Sequence, residues 1–400
     1  MEEHHKKLSI RTFFMSGEDY DAVSDYNKKL AQRYIEAVKS DERVTSQKTI
    51  EYNAKIMGFI LRNTKTDLNK FTIDDIDDLQ SAVANWKKID GTDRAASTKK
   101  VYRIGIKKFL YWAAERYEQP KYNALAKQIK LKGGTGVPKK THDELFTKAE
   151  IEKMISAAYE LRDKAIIAVL SESGCRAGEL LSCKIKDVKA EDIGCDLTVN
   201  GKTGKRTITL VSAFPYLDHY LRQHPLCDNP DAALWVTKNQ GGHRALAYST
   251  LDGMVKNVAK AAGIKKRVHL HNFRHTTATQ LASVWSEPIM KEYLGWKPGS
   301  NMPSIYISLG SKDVKNAVLT DRYGIVEKHQ TEKGLEVGKC PKCWKMVPAT
   351  ATFCYNCGTP LTKEAQRTHD IATNDFMALL TSDPKLMTKL TAAIQAQVQK

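Results

Sequence analysis

Apolar residues recur at helical spacing in four successive stretches near the start of the chain. They predict amphipathic helices over about 24 to 39, 46 to 64, 72 to 88 and 97 to 118, with Ser97 capping the last. Together they predict a small helical domain over residues 20–120. In the fourth helix Val101, Ile104, Phe109 and Trp112 fall on one side, while Lys99, Arg103 and Lys107 recur every fourth residue on the other. That basic face suits either phosphates or water. Periodicity lapses over 121–145, where Pro, Gly and Lys accumulate as in a linker. Thr147 and Glu150 then form a T-x-x-E capping box, followed by two helices and by two alternating strands, DLTVN and RTITLV, around the turn GKTG. Further helices run to about 328, so residues 146–328 predict a second, mostly helical domain with a small antiparallel sheet. The fold class is mainly α. A tail over 362–400 predicts one or two amphipathic helices carrying Ile371, Phe376 and Leu380.

Length and charge narrow the class. The chain has 400 residues, enough for two domains and a small module. Its 63 Lys and Arg against 46 Asp and Glu leave a net charge of +17, which suits a polyanion such as nucleic acid or an anionic membrane. The opening MEEHHKKLSI lacks the apolar core of a signal sequence, and the longest apolar run, AIIAVL at 165–170, is too short to span a bilayer. An intracellular, cytoplasmic protein is expected. Of eight cysteines, those at 175, 183, 195 and 227 are scattered and are expected to be buried, reduced thiols. The other four, Cys340, Cys343, Cys354 and Cys357, read C-x2-C-x10-C-x2-C, and 338–361 predicts a zinc ribbon. Zinc held by four cysteines is structural, with no open coordination position; iron in a rubredoxin-like site is the alternative.

Two further segments carry candidate chemistry. GCRAGELL at 174–181 sets Arg176 between a glycine turn and a helix start, with Glu179 one turn on. In HLHNFRHTTATQLASV, Phe273, Leu281 and Val284 share one helical face, while His271, Arg274 and His275 lie away from it. An arginine between two histidines disfavours a cation and fits an anion; a solvated polar face is the bland alternative.

G-x-R-x-x-E-L at 174–180, H-x-x-R-H at 271–275, and L-G-W at 294–296 followed by Tyr306 resemble the tyrosine recombinase family in order and spacing. The resemblance covers roughly residues 20–325, the N-terminal helices resembling the family's SAM-like core-binding domain. It implies that Arg176 and Arg274 grip the scissile phosphate, with Glu179 supporting the first. It makes His271 a general acid/base, His275 a supporting residue, Lys202 the acid for the departing 5′ oxygen and Tyr306 the nucleophile. Guanidinium forks match phosphate oxygens bidentately, which gives the two arginines their physical rationale. Two departures stand out. The loop before Tyr306 is one residue longer than the common pattern, and Trp296 stands where most members carry histidine; an indole N–H donates a hydrogen bond but cannot shuttle a proton. The implied reaction is strand exchange through a 3′-phosphotyrosyl bond, by a homo-tetramer on double-stranded DNA, with no cofactor for catalysis. The rival readings are a type IB topoisomerase-like enzyme and a non-catalytic zinc-ribbon DNA-binding regulator.

Overall fold

The computed structural model describes residues 17–42, 46–131, 145–201, 203–306 and 335–382, together with 385 and 387–389. The chain divides into two compact units, 1–137 and 138–400.

The first unit is helical: α1 (Gly17–Asp21), α2 (Asp25–Ser40), α3 (Gln47–Arg62), α4 (Ile73–Ala84), α5 (Ala96–Arg116) and α6 (Pro120–Gln128). Start signals set several ends. The Ser24 side chain accepts from the Asn27 amide, and Thr72 with Asp75 closes a reciprocal capping box. Tyr34, Ile60, Ile76 and Phe109 meet in the core, where the buried Tyr34 hydroxyl donates to Asn53 Oδ1 at 2.9 Å. Three expectations need correction. Ala95, not Ser97, caps α5, and Ser97 lies inside the helix. The buried stripe of α5 runs through Gly105, Ile106, Phe109, Leu110, Ala113 and Ala114, so Val101 and Ile104 stay exposed. Gly105 explains the shift: a Cβ there would meet Ile56 Cδ1 at 2.1 Å, so α3 approaches on the glycine side. Finally, 121–145 is not all linker. Pro120 starts α6, and Tyr122, Leu125, Ala126 and Ile129 are buried in the core, which leaves only the segment after Ile129 to connect the units.

The second unit contains α7 (Lys148–Ala157), α8 (Leu161–Ser173), α9 (Ala177–Leu181), a sheet of β1 (Val188–Ala190), β2 (Cys195–Gly201) and β3 (Gly204–Leu210), and α10 (Phe214–Arg222). Then come a hairpin of β4 (Val236–Asn239) and β5 (Gly242–Ala245), α11 (Tyr248–Ala261), α12 (Leu270–Ala282), α13 (Glu287–Leu294) and α14 (Pro303–Tyr306). The capping box of Thr147 and Glu150 begins α7, as the spacing predicts. The AIIAVL run lies in α8, fully buried on every side against α7, α10, α12 and β3. Strands β2 and β3 pair antiparallel from Cys195↔Leu210 to Gly201↔Gly204, the pairing that the alternation around GKTG predicts. Among the scattered cysteines, Cys227 is exposed, against expectation, while Cys175, Cys183 and Cys195 are buried. After the ribbon strands β6 (Val337–Lys339) and β7 (Met346–Pro348), α15 (Lys363–Ser382) buries only Ala365 and Leu380, leaving Ile371 and Phe376 exposed. Among the described residues, no helix is long and apolar enough to cross a membrane.

Candidate active site and thiol cluster

The C-terminal end of α13 organises the site. The last carbonyls of a helix have no partner in the helix and carry its negative dipole end, so they attract cationic donors. Arg206 Nε donates to Tyr293 O at 2.8 Å, Arg274 Nη2 to Leu294 O at 2.6 Å, and Arg176 Nη2 to Gly295 O at 3.3 Å. Thr203 Oγ1 adds a bond to Gly295 O at 3.2 Å. Gly295 ends α13 at φ 62°, and a Cβ there would meet Arg206 Nη1 at 2.5 Å, so both its conformation and its space call for glycine.

Glu179 ties the arginines together. It is 3% exposed, accepts the Arg176 amide at 3.0 Å and Arg176 Nη1 at 2.6 Å, and pairs with Arg206 Nη2 at 2.8 Å. Burial alone would raise its pKa, but the hydrogen bonds from Arg206 and Arg176 outweigh burial and hold the carboxyl at about 2. Gly201 admits this carboxylate: a Cβ there would meet Glu179 Oε1 at 2.4 Å.

Arg274 is 2% exposed and donates its other fork nitrogen to Gly174 O at 3.0 Å, at the left-handed turn that ends α8. It is therefore not part of a solvated polar face. Burial and the neighbouring Arg176 guanidinium lower its pKa to about 10, which leaves it charged at neutral pH. Its guanidinium lies 5.4 Å from the Trp296 ring, and Trp296, itself buried, stacks on Tyr306 with centroids 5.6 Å apart and planes 12° from parallel.

The half-buried Tyr306 hydroxyl meets His275 Nδ1 at 2.7 Å. His271, exposed on the preceding turn of α12, sets its ring 4.6 Å from that of His275. Burial raises the Tyr306 pKa above its ordinary value, with Arg274 pulling the other way. The resting group is thus a phenol bonded to an imidazole, with charged guanidiniums close by. Arg176, Glu179, Arg274, His275, Trp296 and Tyr306 come together through these contacts; Lys202 lies outside the described residues. In the other unit Lys99 donates to Ala84 O at 2.6 Å and pairs with Asp93 at 3.5 Å, and Lys107 lies 5.9 Å from the Tyr111 ring.

The sequence reading missed Arg206. Its signal was present: strict alternation in RTITL puts Arg206 on the face of Ile208 and Leu210, and a charge pointing into a core needs a buried partner.

The four ribbon sulfurs lie within 4.8 Å of one another, with Cys340 and Cys357, and Cys343 and Cys354, each 3.6 Å apart. A tetrahedral ion with bonds of about 2.3 Å requires sulfurs roughly 3.8 Å apart, so the cluster fits a metal site of four thiolates. The ribbon rests on α10. Tyr355 donates to Asp218 Oδ2 at 2.7 Å and stacks on His219 at 5.1 Å.

Comparison with known proteins agrees with this layout. Residues 144–312 match the phage integrase family, and residues 339–361 match a zinc-ribbon domain. The tyrosine recombinase XerS of Streptococcus uberis is 30% identical over 162 residues, 39% of this chain and 44% of that protein. XerS of Streptococcus pneumoniae is 31% identical over the same shares. The matched stretch thus spans less than half the length of these relatives. Among solved structures, XerH recombinase bound to a palindromic difH substrate has TM-score 0.53 at 18% identity, covering 78% of this chain and 91% of that one. A lambda integrase dimer bound to a COC′ core site has TM-score 0.52 at 19% identity, covering 76% and 80%. At these identities the likeness is one of fold.

Proposed function

We propose that this chain, which carries a phage integrase family domain of the tyrosine recombinase type at residues 144–312, is a site-specific DNA recombinase that works through a 3′-phosphotyrosyl intermediate. The observation that carries this reading is the Tyr306 hydroxyl held 2.7 Å from an imidazole beside a buried, anchored arginine. Tyr306 attacks the scissile phosphorus, the bond to the 5′ oxygen breaks, and the phenol proton passes to His275. Lys202, which follows Gly201 in sequence, protonates the departing 5′ oxygen. His271, beside His275, serves as the second acid/base. A 5′ hydroxyl of another strand reverses the step, so bond energy is conserved in the protein link and no other cofactor is needed. Arg176 and Arg274 neutralise the charge that grows on the phosphorane, preorganised by Glu179 and by the α13 carbonyls; removing one such donor typically costs about 3 kcal/mol. Trp296 donates its indole N–H to a phosphate oxygen. Arg103 and Lys107 of the helical unit contact flanking phosphates, with Lys99 bracing α5. Double-stranded DNA is the partner, a tetramer the working assembly, and the cell interior the place of action. This reading makes residues 20–129 the core-binding domain and 146–328 the catalytic domain.

The test begins by selecting, from a random duplex pool, the DNA that the protein retains. A nicked suicide duplex of that sequence should then trap the wild-type protein in an adduct that survives denaturation. Absence of any adduct sinks the reading, and relaxation of unrelated supercoiled plasmid by a monomer would turn it into a topoisomerase.

The ribbon ion is proposed to be zinc, which supplies structure only, because four thiolates close its coordination. Stripping it with a mercurial should release one zinc per chain, measured with a chromogenic chelator, and should speed hydrogen exchange in α10, from which Tyr355 would be lost. Unchanged exchange in α10 would show that the two modules are uncoupled.

A further inference from the structure

The two knuckles share the C-x2-C frame and the same backbone turn, but at the position just after the second cysteine one carries the residue that turn favours and the other does not. In the second, the residue after the last cysteine is Gly358, at φ 71°, whose amide donates to Cys354 O at 2.9 Å. In the first, the same position holds Trp344, at φ 61°, whose amide donates to Cys340 O at 2.9 Å. The conformation favours glycine, and a large aromatic there is strained. Nor does burial repay that strain, since Trp344 is 72% exposed. Lys339, Lys342 and Lys345 are exposed around it, and the sequence has no Asp or Glu between Glu336 and Glu364. The closed cluster of four thiolates and a divalent ion carries two negative charges, which three lysines exceed. Cations around an exposed ring complement a surface that is anionic and offers flat apolar edges.

We propose that this knuckle is a second DNA contact of the chain: Lys339, Lys342 and Lys345 meet phosphates, and Trp344 lies against sugar and base edges in a groove. The inference rests on the reading of the chain as DNA-binding. Tyr355, seated on Asp218 and His219, anchors the ribbon to the catalytic unit while the first knuckle faces solvent.

Glycine at Trp344 separates a structural role from a binding role, because it suits the backbone that Gly358 adopts in the sister knuckle. W344G should keep its zinc and melt no lower than wild type, yet bind a mixed-sequence DNA duplex roughly tenfold more weakly in a gel-shift titration. Replacing all three lysines by glutamine should make the slope of log affinity against log salt shallower by about 2 to 3. The proposal is overturned if both variants bind as wild type does with the same slope, or if W344G instead lowers the oligomeric mass without DNA, which would make the knuckle a protein interface. Adduct formation through Tyr306 on the suicide duplex reports separately on the recombinase reading.

Discussion

Tyr306→Phe is expected to abolish adduct formation on the nicked duplex while leaving the protein folded and bound to DNA. The substitution removes one oxygen from a half-buried ring that stacks on Trp296, so apolar packing is kept and the melting temperature should change little. Chemistry is lost outright, because among the described residues no other hydroxyl is held by an imidazole beside Arg274. Tyr293 is the nearest rival in sequence, but its hydroxyl donates to Glu172 O and burial pushes its pKa far up. The role of the imidazole follows from magnitudes. A phenol with a pKa above 10 costs at least about 4 kcal/mol to ionise at pH 7, and the pull of Arg274 does not offset the effect of burial on Tyr306. An imidazole nitrogen at 2.7 Å, in the tautomer that leaves Nδ1 free to accept, removes the need for prior ionisation. His275→Ala should therefore slow adduct formation by about 10²- to 10⁴-fold, the range for a general base. His271→Ala, one turn away, should cost less on this half-reaction. An adduct from Tyr306→Phe would move the nucleophile elsewhere, and a larger loss at His271 than at His275 would return the base to His271.

How much of this was readable beforehand depends on the range of each interaction. Local signals held: the capping box at Thr147, the glycine turn before Arg176, and the strand pair about Lys202 depend on neighbours in sequence. Faces set by distant partners did not. Periodicity on α5 put Val101 and Ile104 inside, but the side α3 approaches is decided by the missing Cβ of Gly105. The tail of the first domain read as a linker because Pro120 and the basic residues after it look like breakers, although Pro at the first turn of a helix is favourable. At the site, motifs named the arginines but not what aims them. The carbonyls of residues 293–295 are backbone and leave no trace in side-chain pattern, and Arg206 is recognisable only once its strand is known to face the core. The same holds for His275, whose place against Tyr306 depends on how α14 packs beside α12.

Glu179→Ala is expected to cost more stability than any other single change at the site, because it strands two guanidiniums at once. Arg206 is nearly as buried as Glu179, with side chains 6% and 3% exposed, and removing one partner of such a pair typically costs about 3 to 5 kcal/mol. In thermal melts that is a drop of roughly 10 °C. Adduct formation should fall further than stability explains, since Arg176 loses the carboxylate that orients it. Acid should mimic the change. The Glu179 carboxyl is held at about 2 in the fold against 4.5 ordinarily, so its contribution is complete above the ordinary value and fades as pH falls toward 2. Glu179→Gln should flatten the acid limb of the stability profile across that window, and an unchanged limb would place the linkage in another carboxylate. The decisive comparison is the double variant Glu179→Leu with Arg206→Met. Replacing both buried charges by apolar groups of similar volume removes the orphaned ion, so the melting temperature should recover much of its loss. Arg176 would still lack its anchor, so adduct formation should not recover with it. Recovery of both would mean that the carboxylate only holds the core together and that the α13 carbonyls suffice to aim the arginines.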